Sequence, residues 1–69
     1  MNMQTLGLIT LFVNLMGRKG FKVSEIDRLL PTDLSDSEYI DLIQTIMNPE
    51  IAKDEIRDQL KRYKKEQNY

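Results

Sequence analysis

The stretch LSDSEYIDLIQTIMNP, residues 34–49, decides how the chain folds. Ser35-Asp36-Ser37-Glu38 fits a capping box, in which the serine oxygen accepts a backbone N–H three residues on and the glutamate reaches back to the serine N–H. Leu34 and Tyr39 fall at the positions of a hydrophobic staple around that start. From there Tyr39, Ile40, Leu42, Ile43, Ile46 and Met47 repeat at i, i+1, i+3, i+4, i+7 and i+8, the pattern of one buried helix face. Asn48-Pro49 ends the helix and is expected to start the next, with Asn48 as N-cap and Pro49 in the first helical position.

Upstream, Ser24 is the expected N-cap of a short helix with Glu25 and Asp27 at its positive end and Ile26, Leu29 and Leu30 on its apolar side. Pro31 limits it to about two turns, because a residue before proline is pushed out of helical geometry. Met3 to Met16 reads as another helix, stopped by Gly17, with Gly20 loosening the loop that follows. At about 100° per residue, Leu6, Leu8, Ile9, Leu11, Phe12, Val13, Leu15 and Met16 cover an arc of about 220°. Gly7, Thr10 and Asn14 fill the sector that remains. An ordinary surface helix has an apolar stripe of about 100°, so this one is either central to its bundle or covered by another chain.

Downstream, a helix from Pro49 to about Glu66 carries a narrow stripe, Ala52, Ile56, Leu60 and Tyr63. The tail from about residue 66 is expected to fray. With no repeat, linker or low-complexity segment, residues 1–69 form one domain of the all-α class, a three- or four-helix bundle with short loops.

The chain has no cysteine and no histidine. That removes disulfides, thiolate or imidazole metal ligands and the usual nucleophile–base pairs. No catalytic residue, cofactor or metal site is expected. The acids before the third helix do not form a calcium loop: a frame from Asp27 to Glu38 would put Leu29 and Pro31 at ligand positions and has no glycine at the sixth place.

A net charge of −1 hides segregation. Residues 1–17 carry no ionisable side chain, residues 18–22 carry +3, residues 23–50 carry −6 and residues 51–69 carry +2. The apolar stretch from Leu6 to Met16 is about half the length of a membrane span. Its positive charge follows it rather than preceding it, unlike a secretory signal. No membrane span is expected, and the expected location is cytoplasmic.

Three functional readings follow. The first is a small non-enzymatic regulatory or adaptor protein that binds another protein, or a second copy as a homodimer. Its surfaces would be an apolar one on the first helix (Leu8, Leu11, Phe12, Leu15, Met16) and an acidic one through Asp33, Asp36 and Asp41. The methionines and leucines suit an adaptable contact. The second rests on a resemblance. An apolar helix, a glycine-containing loop and then Val23-Ser24-Glu25-Ile26 with Leu29-Leu30 resembles the first two helices of helix-turn-helix transcription regulators over about residues 5–47. The resemblance implies DNA binding, acting through Arg18, Lys19 and Lys22. The third helix departs from that pattern, since Asp36 and Glu38 in its first turn would repel the phosphate backbone that supplies most affinity. The basic run Lys61-Arg62-Tyr63-Lys64-Lys65 is read as complementing a helix dipole rather than holding nucleic acid. The third reading is a structural subunit of a larger assembly. Size and composition also suit a bacterial or phage regulator.

Overall fold

A computed structural model describes the backbone of residues 2–67 and the side chains of residues 2–63. It contains α1 (Met3–Lys19), α2 (Val23–Leu29), α3 (Asp36–Met47) and α4 (Lys53–Gln67). The all-α expectation holds. Asn68 and Tyr69, in the tail expected to fray, lie outside the described residues.

The start of α3 forms as its sequence dictates. Ser35 Oγ accepts the Glu38 N–H at 3.2 Å, and Glu38 Oε1 accepts the Ser35 N–H at 3.0 Å. Asn2 caps α1, its Oδ1 accepting the Thr5 N–H at 2.8 Å. The other ends differ from expectation. α1 runs through Gly17, a helical position whose missing side chain would meet open space. It stops at Gly20, which takes the left-handed φ of 104°. The Gly20 N–H donates to Gly17 O and the Phe21 N–H to Met16 O, both at 3.1 Å, a Schellman closure. Met16 and Phe21 are both buried and belong to one core cluster, the apolar pairing that accompanies this motif. Gly20→Ala is expected to cost about 1–2 kcal/mol through the left-handed backbone. The added methyl would meet only the Lys53 side chain, Cδ at 3.7 Å and Nζ at 3.8 Å, both ordinary contacts. A lower urea midpoint at unchanged slope checks this.

α2 begins at Val23 after an extended Lys22 that makes no side-chain cap, so Ser24 lies inside the helix rather than capping it. Asn48-Pro49 opens a turn instead of a helix. Asn48 Oδ1 accepts the Glu50 N–H at 3.1 Å, Asn48 O accepts the Ile51 N–H at 3.2 Å, and α4 begins only at Lys53. Those extra residues let the chain reverse after α3.

Long-range contacts set the arrangement. Thr5 Oγ1 donates to Asp36 Oδ1 at 2.6 Å, joining the starts of α1 and α3. Lys19 Nζ donates to Asn48 O at 3.1 Å, joining their ends. The two helices therefore run parallel, side by side, and make the most extensive helix–helix contact in the fold. α2 and α4 both start near the C-terminal end of α1 and run the other way. Lys53 Nζ donates to Gly20 O at 3.0 Å, and Arg57 Nη2 pairs with Glu25 Oε2 at 2.9 Å. The direction is up-down-up-down.

The core gathers Phe12 and Met16 of α1, Phe21, Ile26 and Leu29, then Leu42, Ile43 and Ile46 of α3 and Ile56 and Leu60 of α4. Tyr39 is also buried, and its hydroxyl donates to Pro31 O at 2.9 Å. Phe21 is a core member that no helical stripe announces. It lies in the α1–α2 loop, with Lys53 Nζ 5.3 Å and Arg57 Cζ 5.5 Å from its ring centroid. The first turns of α4 thus hold that loop by cation–π contact and hydrogen bond, and the start of α2 by the Arg57–Glu25 ion pair. The Arg57 hydrogen bond holds the Glu25 carboxyl below the usual carboxylate range.

Candidate interaction surface

On a parallel pair of right-handed helices, the residues facing the partner divide each helix into two flanks. On α1 the line toward α3 runs through Thr5, Phe12 and Lys19, spaced by seven. One flank holds Ile9, Val13 and Met16, of which Val13 and Met16 pack in the core cluster with Leu42 and Ile46 of α3 and with residues of α2 and α4. The other flank holds Leu8, Leu11 and Leu15, and it lies beside Ile40 and Met47 of α3. That second side of the seam faces solvent.

Burial follows this division. Phe12 and Met16 are completely buried within the chain, so both leave the surface expected of the first helix and join the core. Leu8 and Leu15 are half-buried against the core, while Leu11 keeps 46% of its surface. On α3, Ile40 and Met47 are 40% and 63% exposed, although their spacing placed them on the buried face. They sit at the margin of that stripe, turned toward the open side of the seam. The exposed side chains of α1 before Arg18 are Met3, Gln4, Leu6, Thr10, Leu11 and Asn14, none of them charged. An open depression of about 520 Å³ runs along Leu11, Asn14, Leu15, Gly17 and Arg18.

The acidic residues do not form one patch. Asp33 sits in the α2–α3 loop at a φ of 61°. Asp36 is half-buried and accepts the Thr5 hydroxyl. Asp41 is exposed, about 140° round α3 from Asp36. The basic set is divided too: Arg18 and Lys22 are exposed, whereas Lys19 is half-buried and bonded to Asn48 O. α3, the position of a recognition helix in the helix-turn-helix resemblance, contains no Lys or Arg.

Among the described residues, no group of three or more His, Cys, Asp or Glu side chains could hold a metal ion, and no helix is long and apolar enough to cross a membrane. Comparison with protein-family models, curated proteins and solved structures finds no match for this chain. The surface itself carries the functional argument.

Proposed function

We propose that this chain is a small non-enzymatic regulatory or adaptor protein that acts by binding another protein through the open side of the α1–α3 seam. One observation carries the reading: Leu11, Ile40 and Met47 stay substantially exposed, and the geometry of a parallel helix pair sets them on one side of it with half-buried Leu8 and Leu15. Scattered exposed leucines are normal on a small protein, but apolar side chains grouped across two helices mark a contact site. A central anchor with such neighbours is where binding energy concentrates. Of the dispersed acidic residues, Asp36 lies nearest the seam, and the group steers encounter rather than supplying affinity.

The test uses the immobilised full chain and its Leu11→Asp variant in a native lysate of the source cell, with bound proteins identified by mass. Leu11→Asp is expected to lose the captured protein while its helical circular dichroism is retained. Equal capture by the variant would remove the seam as the binding surface. Charge reversal of Asp33, Asp36 and Asp41 is expected to slow capture at low salt and leave it unchanged at high salt.

A further inference from the structure

Beyond the binding reading, we infer that α4 is a strap that opens from the rest of the fold as one unit, held shut by a latch that Lys53 and Arg57 form on residues 20–25. Two observations meet here, and the first is how unevenly the helices are fastened. α1 and α3 share the broadest helix contact and are pinned near both ends, by Thr5 on Asp36 and by Lys19 on Asn48. α4 makes its most extensive helix contact with α2, which is only 7 residues long. The sequence of α4 is mostly Lys, Arg, Asp, Glu and Gln, and among its described side chains Ile56 and Leu60 are the fully buried ones. A helix held by so little apolar surface belongs to the low-stability part of a fold, which opens locally and cooperatively while the remainder stays folded.

The second observation is where the polar contacts of α4 fall. Lys53 Nζ donates to Gly20 O at 3.0 Å and stands 5.3 Å from the Phe21 ring centroid. Arg57 Cζ stands 5.5 Å from the same centroid, Nη2 donates to Glu25 Oε2 at 2.9 Å, and Nη1 donates to Asp54 on its own helix. Two cations one helical turn apart thus grip a carbonyl, a ring and a carboxylate on one short stretch of chain. The Arg57 and Glu25 side chains keep 26% and 19% of their surface, so dissolved ions reach and screen the pair. The hinge is the connection from Asn48 to Ala52, whose first residue stays tied to α1 by Lys19. Opening there uncovers Phe21 and the α2 side of the core cluster, an apolar face that the closed fold hides. It leaves Leu11 and the open side of the seam as they are, because that side lies opposite the flank that packs with α2 and α4.

Amide hydrogen exchange of the full chain, read residue by residue by NMR, tests the inference. The amides of residues 57–61 are expected to share one opening constant, at least about tenfold larger than that of the buried middles of α1 and α3. Fraying from a helix end would give graded values instead, and a graded profile overturns the strap. Arg57→Gln is expected to raise the α4 constant about fivefold and to leave α1 and α3 unchanged. Lys61→Gln, the same charge change at an exposed position of the same helix, is expected to leave α4 exchange as it was. Raising NaCl from about 0.05 M to about 1 M is expected to favour α4 opening in the wild-type chain, and to do so less in Arg57→Gln. Equal opening constants in α1, α3 and α4 would make the chain a single cooperative unit and overturn the inference. So would an Arg57→Gln effect shared by every helix, or no effect at all. Exchange of α2 at the same constant as α4 would make the moving part a helix pair, which also overturns α4 as the strap.

Discussion

Phe12→Ala is expected to bring this protein close to unfolding at room temperature. Phe12 is fully buried where α1 turns toward α3, and truncating a buried phenylalanine costs about 3–5 kcal/mol. Stabilities of about 0.05–0.15 kcal/mol per residue give a 69-residue chain about 3–10 kcal/mol in all. One substitution therefore removes between about a third of the margin and all of it. Urea unfolding followed by circular dichroism measures the loss. Leu11→Ala, one residue away on the same helix, is expected to shift stability by less than about 1 kcal/mol, because nearly half that side chain is already in water. If the two variants were equally stable, Phe12 would belong to a surface covered by another molecule, and the partition of α1 into core and binding flank would be lost.

Tyr39→Phe is the second large effect. The Tyr39 hydroxyl donates to the carbonyl of Pro31, a residue buried with it. Removing the hydroxyl leaves that carbonyl without this donor, at a cost of about 1–3 kcal/mol. Burial also pushes the phenol upward from its ordinary value of 10.0. A group whose folded pKa is raised contributes stability that is complete below the unfolded pKa and is lost as pH rises through the folded value. The wild-type chain is therefore expected to lose stability above about pH 10, and part of that loss disappears in Tyr39→Phe. Urea midpoints at pH 7 and above pH 10 separate the two contributions. An unchanged midpoint at pH 7 would remove the hydrogen bond from the account.

Local signals were legible and directional ones were not. The start of α3 is written in four consecutive residues, Ser35 to Glu38, and it forms as read. The end of α1 offers two glycines three residues apart, and nothing local chooses between them. The choice falls on Gly20 because only there can Phe21 turn into the core beside Met16. Asn48-Pro49 satisfies the rules for a helix start, yet the chain must first reverse, and the tertiary anchor at Lys53 sets where α4 begins. Phe21 escaped notice because it lies in a loop, where no periodicity flags a core residue. The site was half legible. The width of the apolar arc on α1 was plain, and its division between core and surface was not. That division depends on α1 and α3 running parallel, a relation made by Thr5–Asp36 and Lys19–Asn48 across about 30 residues of chain. The same ignorance assigned Ile40 and Met47 to the interior, since a stripe's margin turns inward or outward according to which neighbour lies beside it.

That parallel alignment also bears on how the chain finds its shape. Neighbouring helices joined by a short hairpin can zip together early, but α1 cannot dock on α3 until everything between them has closed into a ring. Closing a loop of about 30 residues forfeits about 3 kcal/mol of chain freedom before any contact repays it. The meeting of Phe12 with the α3 face is therefore expected to limit the folding rate, with α4 docking afterwards. Substitutions at that meeting point are then expected to slow refolding, and those in α4 chiefly to hasten unfolding.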